Sequence, residues 1–252
     1  MNTAIAFLCV IPSKTQLDFL KQLTALHDVF VVCDSNENLD DIKIAYPQLT
    51  LVQVSDEECI NDGFANACGK CKPATSWEKA LWYFAKNSIK NEYVWFIEDD
   101  VFIPDVKTLH NLDKKYDTDL LAQNISPVEI NSKNWKFLHI RKYIDNVTKL
   151  FTSPWYKGLV CAARFSKKLL NYINDYALKH KTLCFIEILF HTTAKQHNLK
   201  ITLCPELKLL RTPMSGKFDY AKSKESFSLT FLYHPIKDRE LHASIRQTLQ
   251  KP

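Results

Sequence analysis

Three consecutive carboxylates, Glu98, Asp99 and Asp100, interrupt the otherwise apolar stretch Tyr93-Val-Trp-Phe-Ile-Glu-Asp-Asp-Val-Phe-Ile-Pro104. Neighbouring negative charges repel one another. Half-burying them costs free energy unless a cation or hydrogen-bond donors compensate, so a divalent ion is a natural partner. In an extended segment Glu98 and Asp100 point to one face and Asp99 to the other. Such oxygen donors suit Mg2+ or Mn2+, which keep positions open for phosphate oxygens. The plainer reading is an acidic run that caps a helix or decorates a loop; the apolar run before it favours a site.

Other residues have chemistry to offer. Glu187 lies within Leu183-Cys-Phe-Ile-Glu-Ile-Leu-Phe190, where apolar neighbours are expected to raise its pKa towards a general base; the alternative is a salt-bridged helix carboxylate. His234, before Pro235, offers an imidazole of the kind that binds Mn2+, or is an ordinary loop histidine. Lys237 and Lys79 are point charges that can meet a phosphate oxygen or approach a donor. Trp77 reads as helix packing, whereas Trp155, in Thr152-Ser-Pro-Trp-Tyr-Lys-Gly158, reads as a loop platform for stacking a sugar. Cys68-Gly-Lys-Cys71 supplies half of a zinc site, and no second pair follows at suitable spacing.

The elements that must position these groups follow from periodicity. Apolar runs at 3–11, 29–33, 49–54 and 93–97 read as buried strands, alternating with helical patterns at 15–27 and 75–87. Thr15 is the expected cap of the first helix, and Thr75 or Ser76 of the second. Residues 54–73 read as a loop. Beyond them, 159–165 and 201–204 read as strands, 166–179, 183–197 and 238–249 as helices, and 206–234 as loop-rich. The alternation predicts an α/β fold, a mostly parallel central sheet flanked by helices in one large domain. Ligands in such sheets collect at the carboxyl ends of strands, where Asp34 and the triplet fall.

Composition narrows the field. The 252 residues carry 33 basic and 28 acidic side chains, a net charge of +5 without a basic block, which argues against nucleic acid and suits a small anion. Only four glycines occur, and neither G-x-G-x-x-G nor G-x-x-x-x-G-K-[ST] can be written from them. The apolar run at 4–11 is too short for a membrane span and lacks the flanks of a signal peptide. Together with eight cysteines, mostly in apolar runs, this predicts a reducing cytoplasmic compartment, where the Asn124-Ile-Ser126 and Asn146-Val-Thr148 glycosylation patterns would be idle.

The strand-then-triplet arrangement resembles A-type (GT-A fold) glycosyltransferases, whose D-x-D-like motif follows a hydrophobic strand and holds a metal against the donor diphosphate. Here it reads Glu98-Asp99-Asp100, with Glu in place of the first Asp. Ser76-Trp-Glu-Lys-Ala-Leu81, Phe185-Ile-Glu187 with Ile188-Leu-Phe-His-Thr-Thr193, and Tyr233-His-Pro-Ile-Lys-Asp238 look like its companions, so the resemblance covers most of residues 3–240. It implies a nucleotide-binding half at 1–105 and an acceptor-binding half at 106–252. It further implies metal ligands Asp100, Glu98 and His234 and donor contacts at Asp34, Glu98 and Asp99; beside them Lys79 and Lys237 are candidate donor contacts, and Glu187 is the candidate base of an inverting transfer. The expected cofactor is Mn2+ or Mg2+, the expected donor a nucleotide-diphosphate sugar such as a UDP-sugar, and the acceptor a glycan or glycoprotein. Nucleotidyl transfer to a sugar phosphate is disfavoured because Ile11-Pro-Ser-Lys-Thr15 stands where a glycine-rich loop would be. A non-catalytic nucleotide- or glycan-binding protein of the same fold is the alternative.

Overall fold

The computed structural model describes residues 2–66, 72–87, 89–128, 152–208 and 227–250. The Cys68 and Cys71 pair, the Asn146 glycosylation pattern and much of the 206–234 segment lie outside them.

Strand β1 (Thr3–Cys9) is buried along its whole length, and its alternate side chains feed two cores. Ala4, Ala6 and Leu8 join one core, while Ile5, Phe7 and Cys9 join the other. Parallel to it run β2 (Asp28–Cys33) and β4 (Tyr93–Glu98), with β3 (Thr50–Gln53) outside β2. The central sheet has seven strands in the order β3-β2-β1-β4-β8-β5-β9, where β5 is Leu120–Ala122, β8 Ala162–Ser166 and β9 Ile201–Leu203. Strand β8 runs antiparallel to both β4 and β5, so the sheet is mostly and not wholly parallel. A separate ribbon pairs β6 (Ser126–Pro127) with β7 (Tyr156–Lys157).

Helices cover both faces. On one side α4 (Ser76–Lys86), α6 (Lys167–His180) and α7 (Ile186–Gln196) bury Trp77, Leu81, Leu169, Ile173, Ile188 and Leu189. On the other, α1 (Lys14–Leu23) and α5 (Thr108–Lys115) bury Leu17, Leu20, Leu109 and Leu112. Two short helices, α2 (Asp40–Ala45) and α3 (Asp56–Asn61), flank β3, and α8 (Arg239–Leu249) packs against α1.

Several local expectations are corrected. Ser13, not Thr15, caps α1, because a complete capping box with Gln16 satisfies donors at both ends of the box. The expected 54–73 loop contains α3, nucleated by the equivalent Ser55 and Glu58 box. Helix α7 starts at Ile186, since Leu183 is taken by a parallel bridge to Asn66. Trp155 is 6% exposed and belongs to the core, so it is no surface platform for a sugar. No helix among the described residues is long and apolar enough to cross a membrane.

Candidate active site

The acidic triplet stands where β4 ends. Glu98 is the last residue of that strand, and the chain turns at once, with the Val101 N–H donating to the Glu98 carbonyl at 3.0 Å. The C-terminal segment is stitched alongside: Phe102 and Tyr233 exchange backbone hydrogen bonds, and the Ile236 N–H donates to the Asp100 carbonyl at 2.7 Å. This pairing delivers His234 to the carboxylates. Its Nε2 lies 3.2 Å from Asp100 Oδ1 and 3.8 Å from Glu98 Oε2.

Each carboxylate is held differently. Glu98 Oε1 accepts the Trp77 indole N–H at 2.8 Å, while burial pushes its pKa up against the pull of that donor and of His234. Burial also acts to raise Asp100, but His234 and the charge of Lys237 outweigh it and hold Asp100 below the usual carboxylate range. Asp99 faces elsewhere: its side chain pairs with Arg239, and its carbonyl accepts from Gln16 Nε2 at 2.9 Å. The triplet therefore splits, with Glu98 and Asp100 meeting at His234 and Asp99 tied to the start of α8.

Asp34 follows β2, and its N–H donates to the Cys9 carbonyl at 2.9 Å. Its carboxylate is gripped by Lys72 at 2.6 Å and Lys79 at 2.7 Å. Lys79 is only 1% exposed and also reaches Asp56 at 2.8 Å, so its ammonium is met by two protein carboxylates instead of facing open solvent. Lys237 is exposed near Asp100. Glu187 occupies the first turn of α7, half-buried. Its carbonyl accepts the Gly158 N–H at 3.1 Å and bonds His191 Nδ1 at 3.0 Å. Besides burial, the charges of Glu98, Asp100 and Glu187 all push the Cys161 thiol up, which puts the three carboxylates in one electrostatic neighbourhood.

Sequence reasoning missed three contributors: the Trp77 indole that orients Glu98, Arg239 on Asp99, and Cys161 beside Glu98. Trp77 was legible only as packing, and the other two are brought in by strand and helix pairings between distant segments. A carboxylate pair with an imidazole is donor chemistry that could hold Mn2+ or Mg2+, and Asp100 and Glu98 lie 3.2 Å and 3.8 Å from His234; the donors mutually within 4.8 Å among the described residues are Glu98, His234 and the Cys161 sulfur, without Asp100.

No protein-family model matches the chain, and no curated protein matches it. Among solved structures, an active-site mutant of the galactosyltransferase LgtC superposes with a TM-score of 0.51 over 99% of this chain and 97% of its own, at 9% identity. The chain has the A-type glycosyltransferase fold. LgtC in complex with donor and acceptor sugar analogues matches with a TM-score of 0.48 at 9% identity, over 99% of this chain and 97% of that one. Mouse xyloside xylosyltransferase 1 matches with 0.44 at 10% identity, over 92% of this chain and 96% of its own. Within the A-type fold, the sheet edge that carries Asp34, Glu98 and Asp100 is the carboxyl end of the parallel strands, where open α/β sheets bind their ligands.

Proposed function

We propose that this chain is a metal-dependent glycosyltransferase that moves a sugar from a nucleotide-diphosphate donor, a UDP-sugar, to a glycan or glycoprotein acceptor. The reading is carried by one observation: Glu98 and Asp100 converge on His234 at the carboxyl end of β4. Glu98, Asp100 and His234 would hold Mn2+ or Mg2+. When bound, that ion supplies Lewis-acid stabilisation of the charge on the departing diphosphate.

The remaining roles belong to the chain's own residues. Asp34, fixed by Lys72 and Lys79, presents a carboxylate to the donor's ribose or base, with Lys79 acting through Asp34. Lys237, exposed and close enough for its charge to lower Asp100, meets a phosphate oxygen as a point charge. Asp99, held by Arg239, keeps the triplet's turn in register beside the donor. Glu187 takes the proton of an acceptor hydroxyl as that oxygen bonds to the anomeric carbon and the diphosphate leaves with the bonding electron pair. This is a single displacement that inverts the centre. Residues 1–105 form the nucleotide-binding half, joined at the donor by His234 and Lys237 from the acceptor-binding half, 106–252.

The test is calorimetric titration of UDP and GDP in Mn2+ and again in EDTA, with wild type and Asp100→Ala. Binding is expected only with the ion and at least tenfold weaker in the variant. Failure of both nucleotides to bind would remove the donor-site assignment.

A further inference from the structure

We infer that Cys161 is a further protein donor to the ion at this site, its sulfur joining Glu98 and His234. The inference rests on the reading of Glu98, Asp100 and His234 as a metal site and deepens it by naming the class of ion the site prefers.

Strand pairing brings the thiol into place. Strands β4 and β8 run antiparallel with Ile97 opposite Ala162, and the Glu98 N–H donates to the Cys161 carbonyl at 2.9 Å. That bond carries the ladder one residue further, so Glu98 and Cys161 are direct cross-strand neighbours. One carboxylate oxygen of Glu98, the Cys161 sulfur and one ring nitrogen of His234 all lie within 4.8 Å of one another. Donors sharing one ion with bonds of about 2.0–2.3 Å stand roughly 3.5 Å apart, so small side-chain rotations close the set. The bond of Trp77 to Glu98 Oε1 leaves Oε2 turned towards His234.

A buried cysteine is usually a small apolar filler, and Cys161 is 3% exposed. Here, however, the sulfur shares its pocket with a carboxylate and an imidazole, a mixed donor set of nitrogen, oxygen and sulfur. Such a set shifts preference away from Mg2+, which seeks oxygen alone, and towards borderline ions such as Co2+ and Zn2+. Binding forms the metal–sulfur bond as the thiol proton passes to solvent; no electron is transferred.

Cobalt(II) absorption reads this directly, because a thiolate ligand adds a near-ultraviolet sulfur-to-cobalt charge-transfer band to the weaker visible bands of any bound cobalt. The protein to titrate is the full chain with Cys68→Ser and Cys71→Ser, so that the paired cysteines cannot supply the band. The expected result is a stoichiometric charge-transfer band, lost in Cys161→Ser while visible bands persist and cobalt affinity falls at least the roughly tenfold that outer partners of a ligand cost. Circular dichroism of Cys161→Ser and Cys161→Ala checks their folding; if both variants fail, loss of the band in His234→Ala assigns the sulfur to this site, whereas a band that survives there comes from another thiol such as Cys9 or Cys33, 3.9 Å apart, and overturns the assignment. Visible bands that need Asp100 and His234, with no charge-transfer band, would overturn the thiol assignment and leave the metal site standing. No cobalt binding at all would overturn both.

Discussion

At the scale of single residues, the site shows how identical groups diverge through their neighbours. Glu98 and Asp100 share His234, yet burial raises the first while His234 and Lys237 hold the second down. Glu187 comes from α7, and its assignment as base has a direct consequence. Glu187→Gln should cut turnover by roughly 10²–10⁴-fold while nucleotide binding changes little, followed as UDP release from UDP-sugars. Unchanged turnover would sink the base assignment, and a wild-type protein that binds nucleotide without turnover would point to a binding protein instead. Away from the site, Glu206 accepts hydrogen bonds from Lys115, from Tyr116 at 2.8 Å and from Cys204 at 3.1 Å. Burial opposes ionisation, but these donors win and lower its pKa from 4.5 to about 2. Because the folded pKa is depressed, this stabilisation is complete above the unfolded value and fades as pH falls through about 2. Glu206→Gln should therefore cost about 1–3 kcal/mol at neutral pH and progressively less between pH 4.5 and 2, measured by denaturant unfolding across that range.

At the scale of elements, caps and ladders set where side chains arrive. The Ser13 hydroxyl accepts from the Gln16 N–H while Gln16 Oε1 accepts from the Ser13 N–H at 2.9 Å, and Gln16 Nε2 then reaches the Asp99 carbonyl. One capping box thus orders both the start of α1 and the turn of the triplet. Ser13→Ala should lower stability by about 1 kcal/mol, seen as a shifted urea midpoint with an unchanged slope. Nucleotide affinity should fall alongside it if the Gln16 bond steadies the turn, whereas a stability loss with affinity intact would confine the box to folding. The 159–165 run was legible as a strand, but its direction was not. Antiparallel pairing of β8 with β4 is what sets Cys161 opposite Glu98.

At the scale of the whole molecule, a buried charge cluster joins distant segments beneath the sheet. Asp113 on α5 accepts from Arg164 at 2.7 Å and from the Trp95 indole at 2.9 Å, and lies 3.1 Å from His27 Nε2. Arg164 is fully buried and its guanidinium stacks over Tyr93, so the pair spans α5, β8 and β4. Replacing Asp113 with Ala would remove one carboxylate partner of that guanidinium, which also donates to the Tyr116 carbonyl, and the acceptor of the Trp95 indole. A loss of about 3–5 kcal/mol is expected by denaturant unfolding, and a loss under 1 kcal/mol would show the cluster to be dispensable. Since β4 also carries Glu98, loosening here should reach the site through the strand.

The sequence alone determined the features that depend on neighbours in the chain. Continuous apolar runs located β1, β2, β3 and β4, the apolar stripe located α4, and an acidic run after an apolar strand located Glu98, Asp99 and Asp100. Local periodicity and local charge density require no knowledge of distant partners. Even there, choosing Thr15 over Ser13 as a cap showed that two plausible oxygens are separated only by which one completes both hydrogen bonds of the box. Tertiary structure decided the rest, because the deciding energies lie between segments far apart in the chain. It buried Trp155, set Lys79 against Asp34 and Asp56, placed Arg239 on Asp99, and turned Trp77 from packing alone into a donor for Glu98. His234 meets Asp100 across more than a hundred residues only because the backbone of 233–236 pairs with that of 100–102, a ladder whose register no single stretch of sequence contains.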